Sequence, residues 1–465
     1  MRNRSFVTFV LVTLLFTTAA AAQNCPDPAP VVINDSRPPA DVCIPKGSNA
    51  PIEFFDDYSW RAFIAMVWPA KNGQRGVPDT SKTVGGSGPR VFETYKMLHE
   101  VFHNDGSSPS AWNSYDLPQY NACNVQMQFG DLVLASFSKY SNLGQAGFGT
   151  LVGPLVAQNR TYVRFETAFN AAEFGQIMGG KWYLRANIPV AGVTFNDGAI
   201  DIKSSWIEMT DIPNPSRYYT RTAWVLNPLS GSCSQKTVGL VGLHIVQKTP
   251  TRPQWLWTSF EQVDNVPGRG AKLPYGFNEA NGTPMPSKNP YKIDPLPLPT
   301  PPPFNVSRVK KIHVSTEVTN VKYKTALAGT PWQFYQLVVT QWPLCNPTCK
   351  PEQRGNPAFT FPGSAPGTDE TSFANTTLET FDQASVFTSC MACHNSAQTV
   401  AAVKNGTDFL WSLKDHAFPA NVPGLLFGDP QFKELQSLLL KSVIPAAQAK
   451  AAAQRDKAFT QKKNQ

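Results

Sequence analysis

Val238-Gly239-Leu240-Val241-Gly242-Leu243-His244-Ile245-Val246 is the stretch on which the fold turns. It is apolar on both faces. Simple alternation puts Val238, Leu240, His244 and Val246 on one side and Val241, Leu243 and Ile245 on the other, the mark of a strand covered from above and below. Arg252-Pro253 breaks the chain, and Trp255 to Phe260 resumes as the partner strand across a hairpin. Upstream, Ile200, Ile202, Ser204 and Trp206 alternate with polar neighbours and read as half-buried β. Strand signals extend from about residue 125 to 265, and Phe334 to Trp342 reads as a strand returning to the same sheet, so a β-sandwich or open sheet is expected. Helical spacing predicts a helix over Tyr58 to Val67, which carries Trp60, Phe63, Ile64 and Val67, and a second from Arg90 to Phe102.

The 465 residues are more than one small domain needs. Arg2 and Arg4, the short apolar run Phe6 to Phe16 and Ala20-Ala21-Ala22 form an export signal over 1–22, with the mature chain starting at Gln23. Its removal takes the formal charge from +8 to +6, mild for this length. No later stretch approaches a membrane span, so no stable membrane insertion is expected after cleavage. The mature chain divides into a β-rich region 23–349, a Gly/Pro/Thr-rich linker 350–371 and a small helical region 372–465. The first contains an extended proline-dense segment at about 284–303. In the last, Thr407 caps a predicted helix over Asp408 to Asp415, Asp429-Pro430 opens another, and Lys450, Arg455, Lys457, Lys462 and Lys463 make a basic tail.

One motif carries chemistry. Cys390-Met391-Ala392-Cys393-His394 has the spacing that attaches a c-type haem, two thiols for the two vinyl groups and an adjacent imidazole for the iron. The competing reading is a disulfide or half of a zinc site. Zinc would need a second such pair, yet Cys345 and Cys349 are followed by Lys350 rather than a histidine. One motif implies one covalent haem c, held by Cys390, Cys393 and His394, with His394 as proximal ligand. Six cysteines remain, and an oxidising compartment would pair them as three disulfides, of which Cys25–Cys43 and Cys345–Cys349 close the shortest loops.

The sixth iron position decides the activity. No methionine follows Met391, and the only downstream histidine, His416, is the candidate distal ligand, against a plain helix-end role. Met66, Met97, Met127, Met178, Met209 and Met285 of the large region are further distal candidates, each set against plain core packing. His244, with Glu261 and Asp264 nearby in sequence, offers acid–base or metal chemistry against a buried, hydrogen-bonded histidine. His99 and His103, four apart on a predicted helix, read as exposed rather than as a metal pair, for want of a third ligand. Trp255, Trp257, Trp332, Trp342 and Trp411 either assist electron movement or pack the core. No phosphate-binding loop or Ser-His-Asp signature is present, and nothing points to nucleic acid.

Thr388-Ser389-Cys390-Met391-Ala392-Cys393-His394 resembles the cytochrome c superfamily over about the last 80 residues. Segments 242–246, 255–261 and 335–343 are similar to those of uncharacterised exported bacterial proteins with a large N-terminal region and one such motif near the C-terminus. With the strand and helix patterns above, the expected fold is an α+β chain, a large β-rich N-terminal domain followed by a small α-helical cytochrome-c-like haem domain. The resemblance implies covalent haem c, electron transfer and a bacterial periplasmic or secreted location, with a redox partner protein of unknown identity. Three readings follow: a single-electron carrier, a haem-dependent oxidoreductase whose small substrate sits on the N-terminal domain, and a haem-based ligand sensor.

Overall fold

The computed structural model describes residues 25–46, 48, 52–135, 155–227, 230–280, 303–342, 374–381, 383, 390–394, 397 and 406–420, with Ala392 and Cys393 described by backbone alone. Among them are eight strands: β1 (Lys96–Met97), β2 (Val133–Leu134), β3 (Arg164–Phe169), β4 (Ile200–Glu208), β5 (Thr220–Leu226), β6 (Cys233–Thr249), β7 (Arg252–Gln262) and β8 (Tyr335–Gln341). The helices are α1 (Ile52–Met66), α2 (Leu98–Val101), α3 (Ala171–Gly180), α4 (Val314–Ala326), α5 (Cys390–His394) and α6 (Trp411–His416). The strands join in one mixed sheet, antiparallel except for β2 against β5. β6 is its spine. One edge pairs with β4, while the other pairs first with β5, up to Thr220↔Gly239, and then with β7, from Gly242↔Glu261.

The central strand, its hairpin with β7 and the returning strand β8 are as expected. The face assignment within β6 is not. Ser205 lies opposite Gly242 and Trp206 opposite Leu240, so Val241 is an extra residue, a bulge that reverses the alternation. Val238 and Leu240 therefore share a cluster with Leu243 and Ile245, while Val241, His244 and Val246 belong to the opposite face.

On the first face α1 and α4 lie against the sheet. Trp60 stacks on Tyr323 at 5.1 Å and meets Phe260 edge-on at 4.8 Å, and Phe63 stacks on Phe260 at 4.3 Å. Ser59 hydrogen-bonds Thr258 and Thr340 at 2.8 and 2.7 Å, and Asn320 pairs with both backbone groups of Leu337 at 2.9 Å, tying both helices to the sheet through buried polar groups. Met66, Met97 and Met127 lie in this core, and Met178 and Met209 pack at the margins of the other clusters. Met285 lies outside the described residues.

The second face is covered by α3, by residues 374–381 and 383, and by α5 and α6. Met391, Phe409, Leu410 and Leu413 enter the same apolar cluster as Val246, Trp255 and Trp257 of the sheet. A β-rich domain is therefore present. The described residues of the expected haem region, with the short helices α5 and α6 among them, lie on that domain and share its apolar clusters. Gly242 is required where this layer approaches, since a Cβ there would meet Thr377 Oγ1 at 2.4 Å and Ser205 Oγ at 2.5 Å.

The expected helix from Arg90 to Phe102 is instead a turn at Phe92–Thr94, strand β1 and the four-residue α2. Its charges decide this. Glu93 binds Arg221 and the Tyr219 hydroxyl, and Glu100 pairs with Arg75, so these carboxylates point into the protein rather than from a solvated helix face. Cys25–Cys43 forms as expected, and Cys123–Cys233 joins segments 110 residues apart. The export signal 1–22, nearly all of the proline-dense segment 284–303, the linker 350–371, Cys345–Cys349, the helix after Asp429-Pro430 and the basic tail lie outside the described residues. No described helix is long and apolar enough to cross a membrane.

Candidate functional site

The motif helix α5 is fixed to the sheet through its buried second residue. The Met391 amide donates to Gln341 Oε1 on β8 at 2.9 Å, and its side chain is fully covered. Cys390 is half-buried at the margin of the same cluster. His394 closes the helix over Trp257 of β7, with ring centroids 4.5 Å apart.

His394 Nδ1 lies 2.7 Å from the carbonyl oxygen of Phe409. A carbonyl only accepts, so Nδ1 carries the proton and donates it. In the neutral ring, Nε2 then holds an unprotonated lone pair, the tautomer of a metal-binding histidine whose second nitrogen is anchored to backbone. Burial pushes the His394 pKa down to about 4, helped by the positive charges of Lys203 and His244 and opposed by the Phe409 carbonyl and Glu379. The ring is neutral at physiological pH.

The Phe409 carbonyl is aimed by an unusual turn. Asp408 and Phe409 have φ of 52° and 74°, left-handed values that exclude the helix expected from Asp408 onward, which starts at Trp411 instead. Thr407 does not cap that helix; its hydroxyl donates to the Ala397 and Leu410 carbonyls at 3.1 and 2.7 Å.

Beside His394 the second face carries titratable groups. Asp201 and Lys203 of β4 and His244 of β6 are half-buried, and Lys203 and His244 are register partners. His244 Nε2 stands 3.3 Å from Glu379 Oε1, and His244, with the Asn375 amide, holds the Glu379 carboxyl below its ordinary range against the effect of burial. Burial raises Asp201 to about 8, and raises Glu173 well above the ordinary carboxyl range with help from Asp201 and Asp408. Lys203, His244 and Glu379 all act electrostatically on the His394 ring.

The partners that sequence suggested for His244 are occupied elsewhere. Glu261 binds Arg308, Gln336 and Thr376, and Asp264 takes a two-point bond from Arg217 at 2.6 and 2.7 Å. Glu379, Lys203, Lys248, Asp408 and Phe409 were not visible from sequence spacing. Only Lys248 leaves a trace, as a charge two residues beyond Val246 on an otherwise apolar strand face.

His416 is buried, 6.3 Å from the Phe102 ring, and its pKa falls to about 4 through burial alone; His394 is instead influenced by Lys203, His244 and Glu379. His103 is buried rather than exposed, between Ser107 at 2.8 Å and Asp116 at 3.2 Å, while His99 is half-buried on α2. Trp332 and Trp342 belong to the α1-side core, Trp255 binds the Asp408 carbonyl, and Trp257 lies tilted against the His394 ring. Among the described residues no three His, Cys, Asp or Glu side chains gather in a metal-binding group. No protein-family model, curated protein or solved structure matches the chain.

Proposed function

We propose that this chain is an exported c-type cytochrome that binds one covalent haem and passes single electrons. The observation that carries the reading is the His394 tautomer: Nδ1 committed to the Phe409 carbonyl, Nε2 left with a lone pair. The residues fit the group. Cys390 and Cys393 would hold it, each thiol adding its S–H across one vinyl group so that no atom leaves, and His394 Nε2 would be the axial ligand. When bound, the haem supplies a one-electron couple. The chain's own residues hold the imidazole neutral, orient it and cover one side of it with Trp257.

The paired cysteines support an oxidising, extracytoplasmic location, read here as bacterial periplasm or secretion. A second reading has an observation of its own. Lys203, His244 and Glu379 beside His394 form a cluster of titratable groups able to hold a polar substrate and move a proton, as a haem-dependent oxidoreductase needs.

The test is the intact mass and absorption spectrum of protein made in a host that matures c-type cytochromes. Haem mass and colour, both lost in Cys390→Ala/Cys393→Ala, are expected. A colourless product at apo mass ends the proposal. Carbon monoxide then separates the readings: iron that ignores the gas favours a carrier, and prompt binding favours a substrate or sensor site.

A further inference from the structure

We propose that the buried Lys248–Asp408 ion pair is a positioning device for His394, fixing the carbonyl that orients and polarises the axial imidazole; this rests on the haem reading above. The connection is short and continuous. Lys248 closes the second face of β6, its backbone held by Lys248 N to Ala199 O at 3.0 Å and Gly198 N to Lys248 O at 2.8 Å. Its ammonium, fully buried, binds Asp408 Oδ2, and the same oxygen accepts from the Phe195 amide at 2.8 Å, while the Lys248 backbone N–H and C=O both bond the single neighbouring segment 198–199. The Asp408 carbonyl accepts from Trp255 Nε1 at 3.1 Å. The next carbonyl, that of Phe409, receives His394 Nδ1–H at 2.7 Å.

Backbone conformation marks the same place. Trp255, Asp408 and Phe409 all have positive φ, at 70°, 52° and 74°, although none is glycine. Left-handed backbone at bulky residues persists only where surroundings over-determine it. Here they do: an ion pair, an amide and an indole N–H all grip Asp408. A neutral turn packed for stability alone would need no buried charge, because an apolar replacement of such a pair is often no less stable. What the pair supplies is direction, and a carbonyl aimed at Nδ1–H increases the electron donation available at Nε2.

The experiment compares the holoprotein with Lys248→Met/Asp408→Asn and with Trp255→Phe. The double variant removes both charges at similar volume, so a change reports orientation rather than net charge. Intact mass first establishes haem attachment in each; midpoint potential and ferric absorption bands follow. A weaker imidazole donor favours the reduced state, so the potential of the double variant is expected to rise by a tenfold change in oxidised-to-reduced stabilisation, 59 mV for one electron. Trp255→Phe should shift it in the same direction by less, and it carries the test should the double variant not fold. Unchanged potential and bands in the folded variants overturn the inference while leaving the haem reading intact. Absence of haem mass in the wild-type chain removes both.

Discussion

The two faces of the central sheet are built from the same strands and do opposite work. Towards α1 and α4 the strand side chains are mostly aromatic and aliphatic, and polar helix groups such as Ser59 and Asn320 bond to the sheet and to Trp60. Towards α3, α5 and α6 the same strands present Asp201, Lys203, His244, Lys248 and Glu261, with Trp255 and Trp257 among them. Strand alternation separates a load of burial from a load of charge within one element. Titratable groups can then be held desolvated on one side because the other side supplies the stability.

If that division is real, damage to the first face should cost stability and spare the site. Removing the disulfide whose halves both join the α1-side core, by Cys123→Ala/Cys233→Ala, should lower unfolding free energy in urea by about 5 kcal/mol, as expected for a loop of roughly 100 residues. Trp60→Ala should cost about 3–5 kcal/mol through the cavity left between Tyr323 and Phe260. In both variants the haem absorption of the folded fraction should match wild type. A displaced absorption band would break the comparison.

A third substitution probes the second face. His416 has its pKa lowered to about 4 from an ordinary 6.5 by burial. The unfolded chain thus takes up a proton between those values that the folded one refuses, and stability falls as pH drops through that window. His416→Phe removes this penalty. Its stability relative to wild type should rise steadily from pH 6.5 to 4, by on the order of 3 kcal/mol in total. Urea unfolding across that range reads the slope, and absorption reads the expected ligand role: bands that persist in the variant exclude His416 as distal ligand.

The frame was legible because its signals are local. β4, β6, β7 and β8 announce themselves by alternation or apolar runs, and α1 by Trp60, Phe63 and Ile64 at helical spacing. The bulge at Val241 was not, since it is a property of the pairing with β4 rather than of β6 alone. The site was half legible. Cys390 to His394 can be read directly, but the groups that tune His394 come from distant chain: Lys248 meets Asp408 across 160 residues. Phe409, Leu410 and Leu413 look helical in spacing, and only the contacts of Asp408 force the turn that aims the Phe409 carbonyl. Glu379, in a stretch of threonines and asparagine, carries no signal for its place beside His244.

The smallest expected effect lies at that last pair, where the second face opens to solvent. Glu379 is held below the ordinary carboxyl range, with His244 opposing the cost of burial, so the contribution of the pair is present above the unfolded carboxyl pKa of about 4.5 and is lost as pH falls through the lower folded value. His244→Gln removes it. At pH 7 the variant should be less stable by about 1 kcal/mol, a modest figure because both groups are half-buried and screened. The gap should close towards pH 3, as Glu379 takes up its proton in the wild-type chain. A gap that stays constant with pH would mean that His244 acts by packing rather than charge. The second face would then hold its polar groups near His394 for shape alone, and the contrast with the aromatic face would be one of composition and not of function.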